Sequence, residues 1–171
     1  MQFYSTNRKT SPVSLREAVV RGLATDRGLF MPEVIRRFPP AFYQNMKEMT
    51  LREISFVVAE AFFGENVEAG KLKEIVDETL NFDIPLVQVA DNRYSLELFH
   101  GPTLAFKDVG ARFMARLLAY FNKQEGERQV NVLVATSGDT GSAVANGFLD
   151  VSGVKVFVLY PQGKVSEIQE K

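Results

Sequence analysis

The strongest constraint on the fold of this chain is the rhythm of its second half. Val130-Asn131-Val132-Leu133-Val134 is a β-branched run of strand length. A loop of small residues follows it, Ala135-Thr136-Ser137-Gly138-Asp139-Thr140-Gly141-Ser142, and then a helical stretch from Gly141 to Leu149. Val154 to Tyr160 is a second, nearly continuous apolar run. Two successive strands joined through a helix run parallel, because the crossover carries the chain back to the end where it started. Tyr94 to Phe99 alternates in polarity and is expected to be a further strand. It feeds a helix from about Lys107 to Phe121, with Phe113, Met114, Leu117 and Leu118 as the expected buried face. Residues 91–171 are therefore expected to begin an α/β domain, a parallel sheet with helices on its faces.

Residues 1–90 have a different character. Gln2 to Thr6 is a short extended candidate, and Gly28-Leu29-Phe30-Met31-Pro32 is a short apolar piece ended by proline. Ser14-Leu15-Arg16-Glu17 and Thr50-Leu51-Arg52-Glu53 both have capping-box spacing ahead of apolar runs. Pro39-Pro40 is expected to break the chain between them. A further helix over Glu68 to Leu80 carries Leu72, Ile75, Val76 and Leu80 on one stripe. The expectation is a small, mostly helical domain without chemistry of its own.

Composition narrows the function. Lys+Arg of 20 against Asp+Glu of 21 gives no support to a nucleic-acid or anionic-membrane surface. With no cysteine, thiolate catalysis, disulfides and cysteine metal sites are excluded, and the single histidine, His100, builds no metal site alone. No metal is expected. No apolar run reaches membrane-spanning length and the N-terminus lacks a signal-peptide pattern, so the cytoplasm is the expected location. Ser166-Glu167-Ile168-Gln169 again has capping-box spacing, and the sequence stops within a turn or two of it. A sheet of so few strands looks unfinished, and the expectation is the N-terminal piece of a longer protein.

The chemistry is concentrated in two stretches. Leu98-Phe99-His100-Gly101-Pro102-Thr103-Leu104-Ala105-Phe106-Lys107-Asp108 is an apolar, proline-bent segment that delivers Lys107 to the mouth of a helix. A lone lysine is usually a solvated charge. Here, though, it sits at a helix start, where a cation opposes the dipole, so it is not a cap. Apolar neighbours favour the neutral amine, which suits carbonyl chemistry. Phe106 is either plain core or the lining of a cofactor plane, and Asp108 reads as a favourable first-turn carboxylate. His100 reads as structural.

The loop Thr136 to Gly141 is either a tight turn capped by Asp139 or Thr140, or a cradle of N–H groups for an anion. Both stretches are expected after strands, at the crevice where α/β sheets bind ligands, and that tips the balance towards a site. Together they read as a site for pyridoxal phosphate, with Lys107 forming the Schiff base. Other phosphate motifs fail. Gly163-Lys164 lacks the upstream glycine of a P-loop, and no Gly-x-Gly-x-x-Gly occurs.

These motifs resemble those of the threonine synthases, pyridoxal-phosphate enzymes of fold type II. Phe3-Tyr4-Ser5-Thr6, Gly22-Leu23-Ala24, Gly28 to Pro32, Glu97 to Arg112 and Ala135 to Ala145 all match the family pattern. The Leu98 to Asp108 motif is specific to the branch with an extra N-terminal domain. The resemblance implies conversion of the small-molecule substrate O-phosphohomoserine and water to threonine and phosphate. It implies that Lys107 holds the cofactor and is the catalytic proton carrier, with Phe106 packed near the ring. It places Asp139 near the cofactor's 3′-oxygen, where relatives often have asparagine. Thr136, Ser137, Gly138, Thr140 and Gly141 are implied to receive the substrate carboxylate. Lys164 is a candidate for the substrate phosphate, and the cofactor's phosphate loop lies downstream in the family. Two alternatives stand beside this reading. One is a related phospholyase acting on other phosphorylated amino compounds. The other is a non-catalytic fragment that associates with itself.

Overall fold

The strand β1, Gln2–Ser5, lies between β2, Val13–Ser14, and β3, Phe30–Pro32, and is antiparallel to both. Its alternation sends Phe3 and Ser5 inward. These elements belong to the first of two units, Met1–Asp77 and Glu78–Lys171. The structure is a computed structural model that describes residues 1–124, 126 and 128–167.

Helices make up most of the first unit. In α1, Leu15–Arg21, the hydroxyl of Ser14 accepts the N–H of Glu17 at 3.2 Å, as the capping spacing predicts. In α3, Leu51–Phe63, both bonds of the Thr50–Glu53 capping box form. The Pro39-Pro40 pair does not simply break the chain. It opens α2, Pro40–Asn45, because a proline at the first helical position loses only an N–H that has no partner there. A 3₁₀ turn, Met46–Glu48, follows. The helix α4, Ala69–Thr79, buries Leu72, Ile75 and Val76, the predicted stripe, and Leu80 just past its end.

A polar knot organises the start of this unit. Ser5 is buried and donates its hydroxyl to Asp26 Oδ1 at 2.6 Å, while the N–H groups of Lys9 and Gly28 donate to the same carboxylate at 3.0 Å each. Led by the Ser5 bond, these donors hold the Asp26 carboxyl below the usual carboxylate range. A depressed carboxyl stabilises the fold above its unfolded value, and that contribution is lost as the pH falls through the folded one. Asp26→Asn is therefore expected to flatten the fall in thermal midpoint below about pH 4. Equal acid slopes for the two proteins would show that the knot does not depend on the charge.

The second unit departs from expectation at its first strands. Tyr94 to Phe99 does not join the parallel sheet. Arg93–Leu96 is β5, and it pairs antiparallel with β4, Leu86–Ala90, with Val87 opposite Ser95. The cause is the turn. Asp91-Asn92 closes a two-residue loop with Asn92 at φ 55°, a left-handed conformation that asparagine adopts at little cost. The parallel pair is β6, Val130–Ala135, with β7, Val154–Leu159, in register from Val130 opposite Val154 to Ala135 opposite Leu159. The α/β class of the domain stands on this crossover.

The helix α6, Asp139–Gly147, makes the crossover and packs on both strands, while α5, Lys107–Gln124, packs on α6. Contact between the helices is close at Gly147, where an added Cβ would lie 2.9 Å from the main-chain carbon of Ala111. The buried face of α5 differs from expectation at two positions. Ala115, Leu117, Leu118 and Phe121 are buried, whereas Phe113 and Met114 are half-exposed. On the sheet, Val132, Val134, Val156 and Val158 are half-covered, but Leu133, Phe157 and Leu159 on the other face stand open to solvent. No helix among the described residues is long and apolar enough to cross a membrane. The helix expected from Ser166 falls on Ile168 and Gln169, which lie outside the described residues.

Candidate active site

The lysine segment starts where the hairpin ends. The N–H of Glu97 bonds to the carbonyl of Pro85 at 2.9 Å, one rung past β5. His100 Nε2 lies 2.7 Å from Glu97 Oε2, and its ring tilts against Phe99 with centroids 4.8 Å apart. The histidine is thus held locally, in line with a structural role.

From Gly101 the chain turns sharply. The N–H of Leu104 donates to Gly101 O at 3.1 Å and that of Asp108 to Ala105 O at 3.0 Å. Leu104 has φ 58°, a conformation that L residues with bulky side chains rarely adopt. This geometry places Lys107 as the first residue of α5. Its side chain is half-buried, and Nζ lies 4.8 Å from the centre of the exposed Phe106 ring. An ammonium at that distance is attracted to the ring face, and a neutral amine keeps the apolar contact.

Sequence reading took Asp108 for a first-turn carboxylate and assigned no role to Arg112. Asp108 is fully buried and accepts both the N–H and the hydroxyl of Thr103, so it is more than a first-turn carboxylate. Arg112 is buried and donates to the carbonyls of Glu78 and Thr79, and to Asn81 Oδ1. The signal available for both was spacing. Asp108 and Arg112 are one helical turn apart and share a face, on which an acid and a base together are unusual for a buried stripe.

The second stretch begins at the end of β6. The N–H of Thr136 donates to Leu159 O at 2.9 Å, carrying the parallel ladder one residue into the loop. Thr136 Oγ1 then accepts the N–H of Gly138 at 3.1 Å and donates to its carbonyl at 3.2 Å. Neither Asp139 nor Thr140 caps α6. The N-cap is Gly138, which has no side chain to offer the first turn. The crowding at Gly141 is severe, since a Cβ there would fall 2.4 Å from Thr136 Cγ2 and 3.0 Å from Val158 Cγ1. The glycine is required for the loop to fold back on the strand. Ser137 and Asp139 are exposed, and Thr140 is half-buried.

The structure thus joins Lys107 with Phe106, and Thr136 with Gly138 and Gly141. The recorded link between the two stretches runs through their helices, Ala111 on Gly147. Gly163 and Lys164 form an exposed turn, with the N–H of Lys164 on Pro161 O at 3.1 Å.

Comparison with known proteins agrees along the whole chain. A family model described as threonine synthase N terminus matches residues 2–80. The threonine synthase of Serratia marcescens is 43% identical over 171 residues, covering 100% of this chain and 39% of the relative. That of Saccharomyces cerevisiae is 39% identical over 190 residues, covering 99% of this chain and 37% of the relative. Among solved structures, a PLP-bound threonine synthase from Brucella melitensis superposes with a TM-score of 0.92 at 35% identity. It is matched over 99% of this chain and 38% of its own. The threonine synthase from Escherichia coli gives 0.89 at 40% identity, over 99% of this chain and 39% of its own. The chain spans about 39% of the length of the curated relatives it matches first. Over nearly its whole length this chain is similar, in sequence and in backbone, to about two fifths of the threonine synthases compared, its residues 2–80 matching their N-terminal model.

Proposed function

We propose that this chain forms the first part of a cytoplasmic threonine synthase, which converts O-phosphohomoserine and water to threonine and phosphate with pyridoxal phosphate as cofactor. The observation that carries this reading is the placement of Lys107. A strained, glycine-led turn brings it to the first residue of α5, half-buried beside an aromatic ring. On this reading residues 1–90 are the extra N-terminal domain and 91–171 begin the cofactor-binding one.

The residues present fit the cofactor. Lys107 offers an amine with an apolar neighbour, Phe106 offers a ring, and Asp139 opens α6 beside a loop with no side-chain cap. When bound, pyridoxal phosphate supplies an electron sink for carbanions. The chain supplies the proton transfers and the binding. Lys107 Nζ would hold the cofactor, and as an amine able to lose its proton it would move protons at the substrate carbons. The Thr136–Gly141 loop receives the substrate carboxylate on backbone N–H groups and on the hydroxyls of Thr136, Ser137 and Thr140. Lys164 is the candidate on this chain for the substrate phosphate.

The test is product analysis of the intact protein with O-phosphohomoserine. Threonine and phosphate in equal amounts are expected. A keto acid with no threonine would replace this reading by the phospholyase one, and absence of both products would end it. The open apolar face of Leu133, Phe157 and Leu159 favours a second reading for the isolated chain, self-association through the sheet. Sedimentation of this chain alone is expected to show oligomers.

A further inference from the structure

We propose that Asp108 is a positioning residue for Lys107, acting through a clamp on Thr103. The inference rests on the lysine reading above. Asp108 is 0% exposed at the second residue of α5, and a polar group at that depth needs hydrogen-bond partners. An ordinary first-turn carboxylate bonds the N–H groups of its own helix. Asp108 instead reaches out of the helix. Its Oδ2 accepts the N–H of Thr103 at 2.9 Å, and its Oδ1 accepts the Thr103 hydroxyl at 2.6 Å.

The two bonds close the segment Thr103 to Asp108 into a ring, and the residues trapped inside are the ones that matter. Leu104 follows Thr103 directly and carries the left-handed φ of 58°. Its side chain is 75% exposed, so burial of its own atoms does not offset that conformation. The offset comes from bonds on either side of it, the Asp108 clamp on Thr103 and the Leu104 N–H on Gly101. Gly101 is fitted to the same carboxylate, since a Cβ there would meet Asp108 Oδ2 at 2.5 Å and Phe82 Cζ at 3.0 Å. One turn along α5, buried Arg112 lies on the same helix face as Asp108. The clamp therefore fixes the angle at which α5 starts, and Lys107 is the residue at that start.

A clamp that only stabilised the fold would change melting and leave the lysine's chemistry alone. Three variants of this chain separate the two: Thr103→Val, which removes the hydroxyl at nearly constant volume, Thr103→Ser, which restores it, and Asp108→Asn, which keeps the shape. Two readouts apply to each, with exposed Lys47 of the first unit as internal reference. The first is the share of pyridoxyl label on Lys107 after incubation with pyridoxal phosphate and borohydride. The second is the rate of methylation of Lys107 by formaldehyde and cyanoborohydride, which needs no cofactor.

In Thr103→Val both readouts are expected to fall about tenfold relative to Lys47, the effect of losing one buried hydrogen bond. Asp108→Asn is expected to fall similarly, and Thr103→Ser to return to near the parent value. Unchanged methylation of Lys107 in folded Thr103→Val and Asp108→Asn would overturn the proposal, even if both melt earlier. If the parent chain takes no pyridoxyl on Lys107, the cofactor reading fails for this chain, and methylation alone decides the clamp.

Discussion

Replacing Lys107 by alanine in the intact enzyme is expected to lower kcat by at least about 10³-fold, the scale of losing a positioned acid–base group. Its removal from the fold should matter little. The side chain is half-buried, opposes the helix dipole and makes its recorded contact with an exposed ring. The change in stability is therefore expected to stay within about 0.5 kcal/mol. Lys107→Arg sharpens the test. It keeps the cation over Phe106 but cannot lose its proton, so it should be as inactive as alanine. Borohydride trapping should place a pyridoxyl mass on Lys107 of the parent, and none at that position in either variant. A variant with kcat near the parent value would remove this lysine from the mechanism.

The second large effect is structural. Arg112→Met is expected to destabilise the second unit by about 3 kcal/mol, read as a shift in the urea midpoint. Methionine matches the aliphatic stem, so packing is largely kept and the loss reports on polar partners. Those partners are three acceptors, Glu78 O at 2.6 Å, Asn81 Oδ1 at 3.0 Å and Thr79 O at 3.2 Å. Two of them are carbonyls at the end of α4, where no intrahelical donor remains. Burial, and then the like charge of Arg116, lower the Arg112 pKa, while Asp108 and Glu78 oppose the shift. Arg112→Lys should recover only part of the loss, because one ammonium cannot reach three acceptors as a planar fork does. A loss below about 1 kcal/mol would mean that water replaces the guanidinium on those carbonyls.

What could be read in the sequence follows from how local each signal is. The capping boxes at Ser14 and Thr50 and the stripe of α4 are set within one or two helical turns, and they appear as written. The crossover of β6, α6 and β7 was equally legible, since β-branched runs flank a helix of fixed length. The hairpin partner of β5 was missed because Asp91-Asn92 is a weaker turn signal than a glycine pair, although Asn92 serves as one. Phe113 and Met114 were overrated because periodicity cannot show which face meets a close neighbour. For the site, Lys107 and the glycine loop stood out by residue type, whereas Asp108 and Arg112 did not. Their roles are defined by partners at Thr103 and at Glu78 to Asn81, which the helical spacing of the two residues does not identify.

The division at Asp77 also has a consequence for how the protein is made. Every residue of the first unit, from the Ser5–Asp26 knot to Asp77, is translated before Lys107. At roughly 5–20 residues per second, several seconds pass before β7 follows β6 out of the exit tunnel. A small helical unit folds within that interval. The parallel pairing of β6 with β7, which must wait for a whole crossover, then comes later than the folding of the first unit.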